Sequence, residues 1–512
     1  MHYSKYIELS PEGENMVRES VRIPHSLNRI HISVKRPEEF EGAGFLAVFD
    51  EKQHLRLQKM IAYGEQELGI GEKACDTSAG CVAGEIGAGD WTILYGNLFT
   101  DWENYHGEFP VVVEITLSDE EKVLTEPLEQ LWLTDADDFH ISENLFAGGA
   151  VHNKKSAWFK GDFHTHTRLS DGKETMENAM KKAVDMQMDF YVPTEHNLVH
   201  TGWKNTNLLV LPGVEVTLPL GHYNIFGLTE RPKQLDQVML AKDKEEMAAA
   251  MLSIICDANR KNWLVSINHP FLHIWKWHLD EVLLAQIQCL EIVNDPTYPY
   301  AKDANEKAIS FLDFLWNDGH RIYGVGGSDA HNLIEERYDG ASEPSVAGDP
   351  GTYVYCEGLS AENLLQAAGA GHMVVTRYCR VIPHISDGER SYLPGDELTG
   401  SQITYAVSVT GIMEAPHIYL VTNSKNGQVE KELLPVEKTE DGDYRAAKMF
   451  PVDEESYRWF RMEIRDREGA FWGYINPVYS GKKEPDCHTF GEAKNEWIKE
   501  YGGVEDDERN FI

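Results

Sequence analysis

Residues 163–172 read FHTHTRLSDG. In an extended strand, side chains i and i+2 project to the same side, so His164 and His166 can share one ion while Thr165 turns away. Asp171 follows after a short loop with Gly172 beside it, and a helical pattern, ETMENAMKKAVDMQ, then occupies 174–187. Met176, Met180, Ala183 and Val184 fall on one face of that helix. A strand, a loop rich in metal-ligand side chains and an amphipathic helix make one β/α unit.

Working outward, the same grammar repeats over 156–385. Apolar runs end at Phe163, Val192, Leu211, Phe226, Ile267, Val293 and Val325, and helical patterns alternate with them, DANEKAISFLDFLWN at 303–317 being another clear one. About seven β/α units in one region predict parallel strands, in an open sheet or a barrel. On either side the period changes. In 1–155, RIHISVK (29–35) puts Ile30, Ile32 and Val34 on one face, and GFLAVFD, GDWTILYG and FPVVVEITL are further short apolar runs. These predict an N-terminal β-sandwich. In 386–480, Ile403, Tyr405, Val407 and Val409 alternate with polar residues, as do Phe460, Met462 and Ile464 with Arg461, Glu463 and Arg465, which predicts a smaller C-terminal β-sandwich. Residues 481–512, ending GGVEDDERNFI, read as an acidic tail.

Bulk properties narrow the function classes. A chain of 512 residues, 42% hydrophobic and 10% aromatic, has the composition of globular domains, roughly three by length. No apolar run approaches the ~18 residues of a membrane helix. The opening MHYSKYIELSPEGENM lacks the basic and apolar regions of an export signal, and the cysteines at 75, 81, 256, 289, 356, 379 and 487 show no CxxC spacing. A reduced, cytoplasmic protein is the expectation. Asp plus Glu outnumber Lys plus Arg by 84 to 47, a formal charge of -37. Such a surface repels polyanions, so the expected partner is a small-molecule substrate, with neither a nucleic-acid polymer nor a membrane.

The chemistry lies at the ends of the apolar runs of the middle region. Asp171 follows the first; His196 stands in TEHN (194–197), Glu215 in PGVE (212–215), His222 in GHYN (221–224), His269 in NHP (268–270), and Asp329 with His331 in GSDAH (327–331). With His164 and His166 these are nine nitrogen or oxygen ligands. A single acid or histidine there reads as a helix cap or a hydrogen-bonded core residue. Nine of them all at or just past predicted strand ends do not, because structural noise has no reason to select that end. Imidazole and carboxylate without thiolate suit Mn, Fe or Zn as divalent ions and argue against a Cys-rich structural zinc site. Nine ligands are too many for one ion, so two or three divalent metal ions are expected, with at least one bridging carboxylate.

The motifs HTH, TEHN, PGVE, GHYN, NHP and GSDAH together resemble those of the PHP (polymerase and histidinol phosphatase) family of metal-dependent hydrolases. LEIVND (290–295) and GTYVYCEGLSAENLLQAAGAGHMVVTR (351–377) resemble its CehA/McbA-like branch more closely. The likeness covers residues 158–385 well and the flanks loosely. It implies a distorted (β/α)7 barrel flanked by the two sandwiches, with a trinuclear metal site at its mouth. By motif, His164, His166, Glu215 and Asp329 would hold one ion, Asp171, His196 and His331 a second, and Glu215 would bridge to a third bound by His222 and His269. Amidohydrolase barrels also open on HxH, but they typically bridge metals through a modified lysine where this chain offers Glu215.

Clustered divalent ions lower the pKa of a shared water toward about 7, which supplies a hydroxide nucleophile without a catalytic Ser or Cys. No GxSxG elbow is present. Three such ions carry +6 against -3 from Asp171, Glu215 and Asp329, so a phosphate can bind locally despite the global charge. The expected function is a metal-dependent phosphoesterase acting on a small phosphomonoester or phosphodiester. The alternatives are a carbamate, ester or amide hydrolase of the CehA/McbA type, and a non-catalytic ligand-binding protein. Pocket candidates are His273, Trp275, Lys276 and Trp277 in HPFLHIWKWH (269–278) and Arg377 as an anion clamp. Glu195 and Asn197 are expected to orient the ligand they flank.

Overall fold

The strand that carries His164 spans Asn153–Thr165. In the computed structural model, which describes residues 1–501 apart from 11–15, 38–41, 63, 101–106, 108–109, 135–138, 242, 425–426 and 454–455, it is the branching point of the architecture. On one side it runs parallel to Phe190–Pro193, with Gly161 opposite Phe190, and that strand is parallel to Leu209–Val210. On the other side it is antiparallel to Gly351–Leu359, with Lys160 opposite Tyr353. A second sheet orders Gly213–Leu218, Gly221–Phe226, Leu264–Ile267, Cys289–Asn294 and Tyr323–Gly327. Two isolated parallel bridges, Thr165 to Ala330 and His196 to Glu215, join the first sheet to the second at the second sheet's two opposite edges.

The middle region is therefore not the distorted (β/α)7 barrel that the resemblance implied. The chain is mainly β, in several sheets, and of the six α-helices among the described residues five lie in 156–385, two of them in the single connection between Phe226 and Leu264, too few to separate seven parallel strands. The physical reason is local. Only Pro219 and Leu220 lie between Gly213–Leu218 and Gly221–Phe226, and two residues close a hairpin but cannot make a parallel crossover, which needs a dozen or so. The runs ending at Leu211 and Phe226 are consequently not separate β/α units; the strands Gly213–Leu218, Gly221–Phe226 and Leu264–Ile267 pair antiparallel. The helices that do form obey the pattern. Met176–Asp185 is capped by Thr175, whose side chain accepts from Asn178 N, and it buries Met176, Ala179, Met180 and Ala183. Val184, expected on that face, is 60% exposed.

At the N-terminal end two four-stranded antiparallel sheets enclose one core. The first orders His2–Leu9, Val111–Ser118, Arg29–Lys35 and Gln66–Gly71; the second orders Met16–Ile23, Gly89–Thr100, Gly42–Phe49 and Leu55–Ile61. Ile30, Ile32 and Val34 meet Leu46, Val48, Trp91 and Ile93 there. At the C-terminal end the long sheet does not stop with the middle region. Met373–Thr376 pairs with Phe471–Ile475, which continues into Arg458–Arg465, His417–Asn423 and Val429–Leu434. The sheet containing Arg380–Ser386, Gln402–Thr410 and Tyr444–Pro451 covers one face of it, packing Ile403, Tyr405, Val407 and Val409 against Phe460, Met462 and Ile464.

The opposite face, which carries Arg461, Glu463 and Arg465, is buried as well. Arg461 forks onto Asp313 of the helix Ala301–Asp318 (2.7 and 2.8 Å) and reaches Glu463 (2.7 Å), while Arg465 binds Glu463 (2.7 Å) and Glu306. Removing the central cation would leave the buried carboxylate of Asp313 uncompensated and Glu463 with only Arg465 and Lys431. Arg461→Met should lower stability by about 3–5 kcal/mol, read as a lower denaturant midpoint in urea unfolding. A loss below about 1 kcal/mol would mean that the network contributes little. Residues 481–512 are not simply an acidic tail: Phe490–Tyr501 is a helix that buries Phe490 and sets Trp497 against Phe271 (5.0 Å, tilted) and edge-on to Phe311 (5.6 Å). GGVEDDERNFI, 502–512, lies outside the described residues. Among the described residues no helix is long and apolar enough to cross a membrane.

Candidate metal centre

The two sheets meet where their ligand-bearing ends abut. Strand period aims His164 and His166 to one side at the end of Asn153–Thr165. Hairpin register sets Glu215 opposite Asn224 and Thr217 opposite His222, so those four side chains share a face. His269 and Asp329 follow Leu264–Ile267 and Tyr323–Gly327. Both hold left-handed backbone, with φ +27 and +49, a cost of about 1–3 kcal/mol for a non-glycine residue. Two hydrogen bonds sustain it: Asp329 N donates to His164 O (2.9 Å) and His269 N to Glu291 Oε2 (2.9 Å). Gly327 cannot be anything larger, since a Cβ there would lie 2.3 Å from both Glu291 Oε1 and His164 Cβ.

All nine candidate ligands come together, in four overlapping groups able to hold an ion. In the first two, His164 Nε2 lies 3.3 Å from Glu215 Oε1 and 3.3 Å from Asp329 Oδ1, and His166 Nε2 lies 3.0 Å from Asp329 Oδ1 and 3.5 Å from Glu215 Oε2. In the third, Asp171 Oδ1, His196 Nε2 and His331 Nε2 form a near-equilateral triangle with sides of 3.3, 3.4 and 3.5 Å. In the fourth, Glu215 Oε1 is 3.2 Å from His222 Nδ1 and 3.6 Å from His269 Nε2. Ligands about 2.0–2.1 Å from one ion lie roughly 3.0–3.4 Å from each other in octahedral or tetrahedral geometry. The observed separations match those edges. His164 Nε2, His166 Nε2 and Asp329 Oδ1 are moreover buried without a hydrogen bond, although they face one another. Buried polar atoms are normally paired, and a cation between these would satisfy them together. The donor set thus fits a metal ion.

Electrostatics point the same way. Burial works to raise the carboxyl of Glu215, but His164, His196 and His222 outweigh it and hold the group well below the carboxylate range. Asp329 is lowered in the same manner by His164, His166 and His331, and Asp171 by His196 and His331. Burial opposes the charged form of His331, yet Asp171 and Asp329 lift it to about 10, while burial together with His331 and His196 pushes His166 down to about 4. Without a cation, three clustered carboxylates can be balanced only by protons on the histidines; divalent ions supply the same compensation.

A supporting layer fixes the free nitrogens. His164 Nδ1 donates to Glu291 Oε1 (3.0 Å), His331 Nδ1 to the Asp329 carbonyl (2.7 Å), and His196 Nδ1 lies 2.7 Å from both Thr217 Oγ1 and Glu215 Oε2, leaving each Nε2 toward the cluster. Asn268 Nδ2 donates to Glu215 Oε1 (2.9 Å), and Asn294 Nδ2 bridges Glu291 Oε2 (3.1 Å) and Asp329 Oδ2 (3.3 Å). Glu291, Asn268, Asn294 and Thr217 are absent from the sequence-based site. For Glu291 the available signal is an acid inside the otherwise apolar run CLEIV, which seldom stays buried without a partner. Asn197, φ +56, exchanges bonds with the backbone of Thr217 (3.0 Å each), and Glu195 grips the turn after His166.

The pocket candidates divide. His273 stacks on Tyr300 (4.6 Å, 8°) on an exposed turn four residues past His269, and Trp275 meets Tyr298 edge-on (5.8 Å). Trp277 is instead a core residue, 1% exposed, packed on Tyr223 and Phe490. Lys276 is half-buried on the same segment. Arg377 is engaged by Asp349 through two bonds (2.7 and 2.8 Å) and by Glu343 (3.2 Å).

No family model and no curated protein matches this chain. Among solved structures, a Paenibacillus sp. cycloisomaltooligosaccharide glucanotransferase complexed with cycloisomaltoheptaose is similar at 8% identity over 93% of this chain, with a TM-score of 0.13. The chain spans 45% of the length of that structure, and a likeness this distant carries no argument about fold or chemistry.

Proposed function

We propose that this protein is a metal-dependent hydrolase that binds two to three divalent ions, Mn, Fe or Zn, and cleaves a small phosphomonoester or phosphodiester. The observation that carries the reading is the set of buried, unbonded imidazole and carboxylate atoms spaced as coordination edges around Glu215. The motif resemblance to the PHP hydrolases supports the reaction class. Ions so held supply Lewis acidity, acidifying water and neutralising charge on phosphoryl oxygens. The chain's own residues do the rest. Glu291 keeps the proton of His164 on Nδ1, Asn268 orients Glu215, and Glu215, facing five histidines, ties the ion groups into one unit.

One observation favours the second reading, hydrolysis of a carbamate, ester or amide. Arg377 is already paired with two acids, whereas His273, Trp275, Tyr298, Tyr300 and Tyr338 form a ring cluster on the loops that follow His269 and Asn294 and precede Gly351. Such a wall suits an apolar leaving group better than a phosphate. Turnover of p-nitrophenyl phosphate, bis-p-nitrophenyl phosphate and a 1-naphthyl carbamate on one metal-loaded preparation separates the two. Phosphoester turnover with competitive inhibition by inorganic phosphate is the expected result, because transition-state charge then spreads over oxygens that phosphate also presents. Carbamate turnover far above both phosphoesters, without phosphate inhibition, overturns the first reading in favour of the second.

A further inference from the structure

The turn that presents Asp171 is gripped from two sides. On the inner side the buried carboxylate of Glu195 accepts from Thr167 N (3.0 Å), Ser170 N (3.1 Å), both of those residues' hydroxyls and His200 Nε2 (2.9 Å). On the outer side stands the strand Leu55–Ile61 of the N-terminal sandwich. Met60 N donates to Leu169 O (3.1 Å), Lys59 Nζ donates to Arg168 O, and Gln58 Nε2 donates to Val199 O (2.6 Å) while Gln58 Oε1 accepts from Arg231 Nε (3.1 Å). Leu169 and Leu198 complete the contact by packing with Phe45 and Met60.

Ordinary domain packing would explain the apolar part, but two features go beyond it. The polar bonds land on 168–169 and 199, in the two segments that carry Asp171 and His196, ligands of the same ion group. A lysine 2% exposed is also a costly way to satisfy one carbonyl, since burying an ammonium is unfavourable unless it is paired and hydrogen-bonded. The charges of Glu126 and Glu195 oppose that cost in part.

We propose that the N-terminal sandwich is a working part of the metal centre: Lys59 and Gln58, with Glu195 behind the turn, are positioning residues that set Asp171 and His196 for the outer ion site formed with His166 and His331. The inference rests on the metal-binding reading above, and it makes that site, rather than the groups around Glu215 and Asp329, dependent on the sandwich.

The test uses the full chain, loaded with Mn²⁺ or Co²⁺, desalted and analysed for metal, with Co²⁺ titration to follow the weakest ion. Lys59→Met and Glu195→Gln should each retain the other ions and weaken the outer one by about 10–100-fold, the usual effect of losing a partner that orients a ligand. Ile32→Ala, in the centre of the sandwich core, should lower the melting temperature and leave the metal count unchanged. Should Lys59→Met not fold, Gln58→Met, which removes the bonds to Val199 and Arg231, reads the same outcome. Folded variants with wild-type affinity for every ion would overturn the proposal, as would an Ile32→Ala protein that loses the same ion. Wild-type protein holding less than one equivalent would instead overturn the metal reading itself, and the inference with it.

Discussion

Glu215→Gln is expected to reduce turnover at least about a hundredfold and to leave two ions poorly held, with the circular dichroism spectrum unchanged. Glu215 Oε1 faces His164, His222 and His269, and Oε2 faces His166 and His196, so one carboxylate belongs to two of the four groups and borders the other two, the Asp329 group through His164 and His269 and the Asp171 group through His166 and His196. The amide removes a charge and aims an N–H donor at nitrogens that would themselves serve as ligands. Folding should survive, because the strand Gly213–Leu218 is held by its backbone ladder to Gly221–Phe226 and by the buried Val214 and Val216. Metal analysis and turnover on the same sample check the prediction, and activity above a few percent of wild type would count against a bridging role.

His164→Ala combined with His166→Ala should remove most of one equivalent of metal and, with it, activity. Both rings are almost fully buried, and their Nε2 atoms are the two that approach Asp329 Oδ1 at 3.3 and 3.0 Å. Without them Asp329 loses the two histidines nearest its unbonded oxygen, and Glu291 loses the imidazole it orients. The expected signature is a partial loss, because His196, His331 and Asp171 keep three of the four ligands of their group, and His222 with His269 still faces Glu215. Elemental analysis of anaerobically purified protein reads this directly. A double variant with an undiminished metal count would show that the ions sit elsewhere.

The candidate ligands were readable in the chain because their signal is local. Residue identity carries the coordination chemistry, and a period of two carries the direction, so HTH at the end of an apolar run already states that two imidazoles point one way. NHP and GSDAH repeat the message at the ends of other runs, whereas Glu215 and His222 lie within the two strands of a hairpin. The alternating residues of both flanks likewise announced sheets, since Ile30, Ile32 and Val34, or Ile403, Tyr405 and Val407, need only a half-buried surface to explain them. What tertiary structure alone decided is which strands pair and which second faces are covered. A two-residue connection turned Gly213–Leu218 and Gly221–Phe226 into a hairpin, and pairing between Met373–Thr376 and Phe471–Ile475 carried one sheet from the ligand region into the C-terminal part. The face of Arg461, Glu463 and Arg465 reads as solvent-facing until Asp313 and Glu306 arrive from a helix some 150 residues earlier in the chain. Lys59 is of the same kind, and so is Glu291 in part: an acid inside the apolar run CLEIV signals some buried partner, but that the partner is His164, as for Lys59 it is the carbonyl of Arg168, more than a hundred residues away, is decided by folding. Periodicity reports how one segment meets a generic interior, whereas the identity of the group across the contact is a property of two segments brought together by folding.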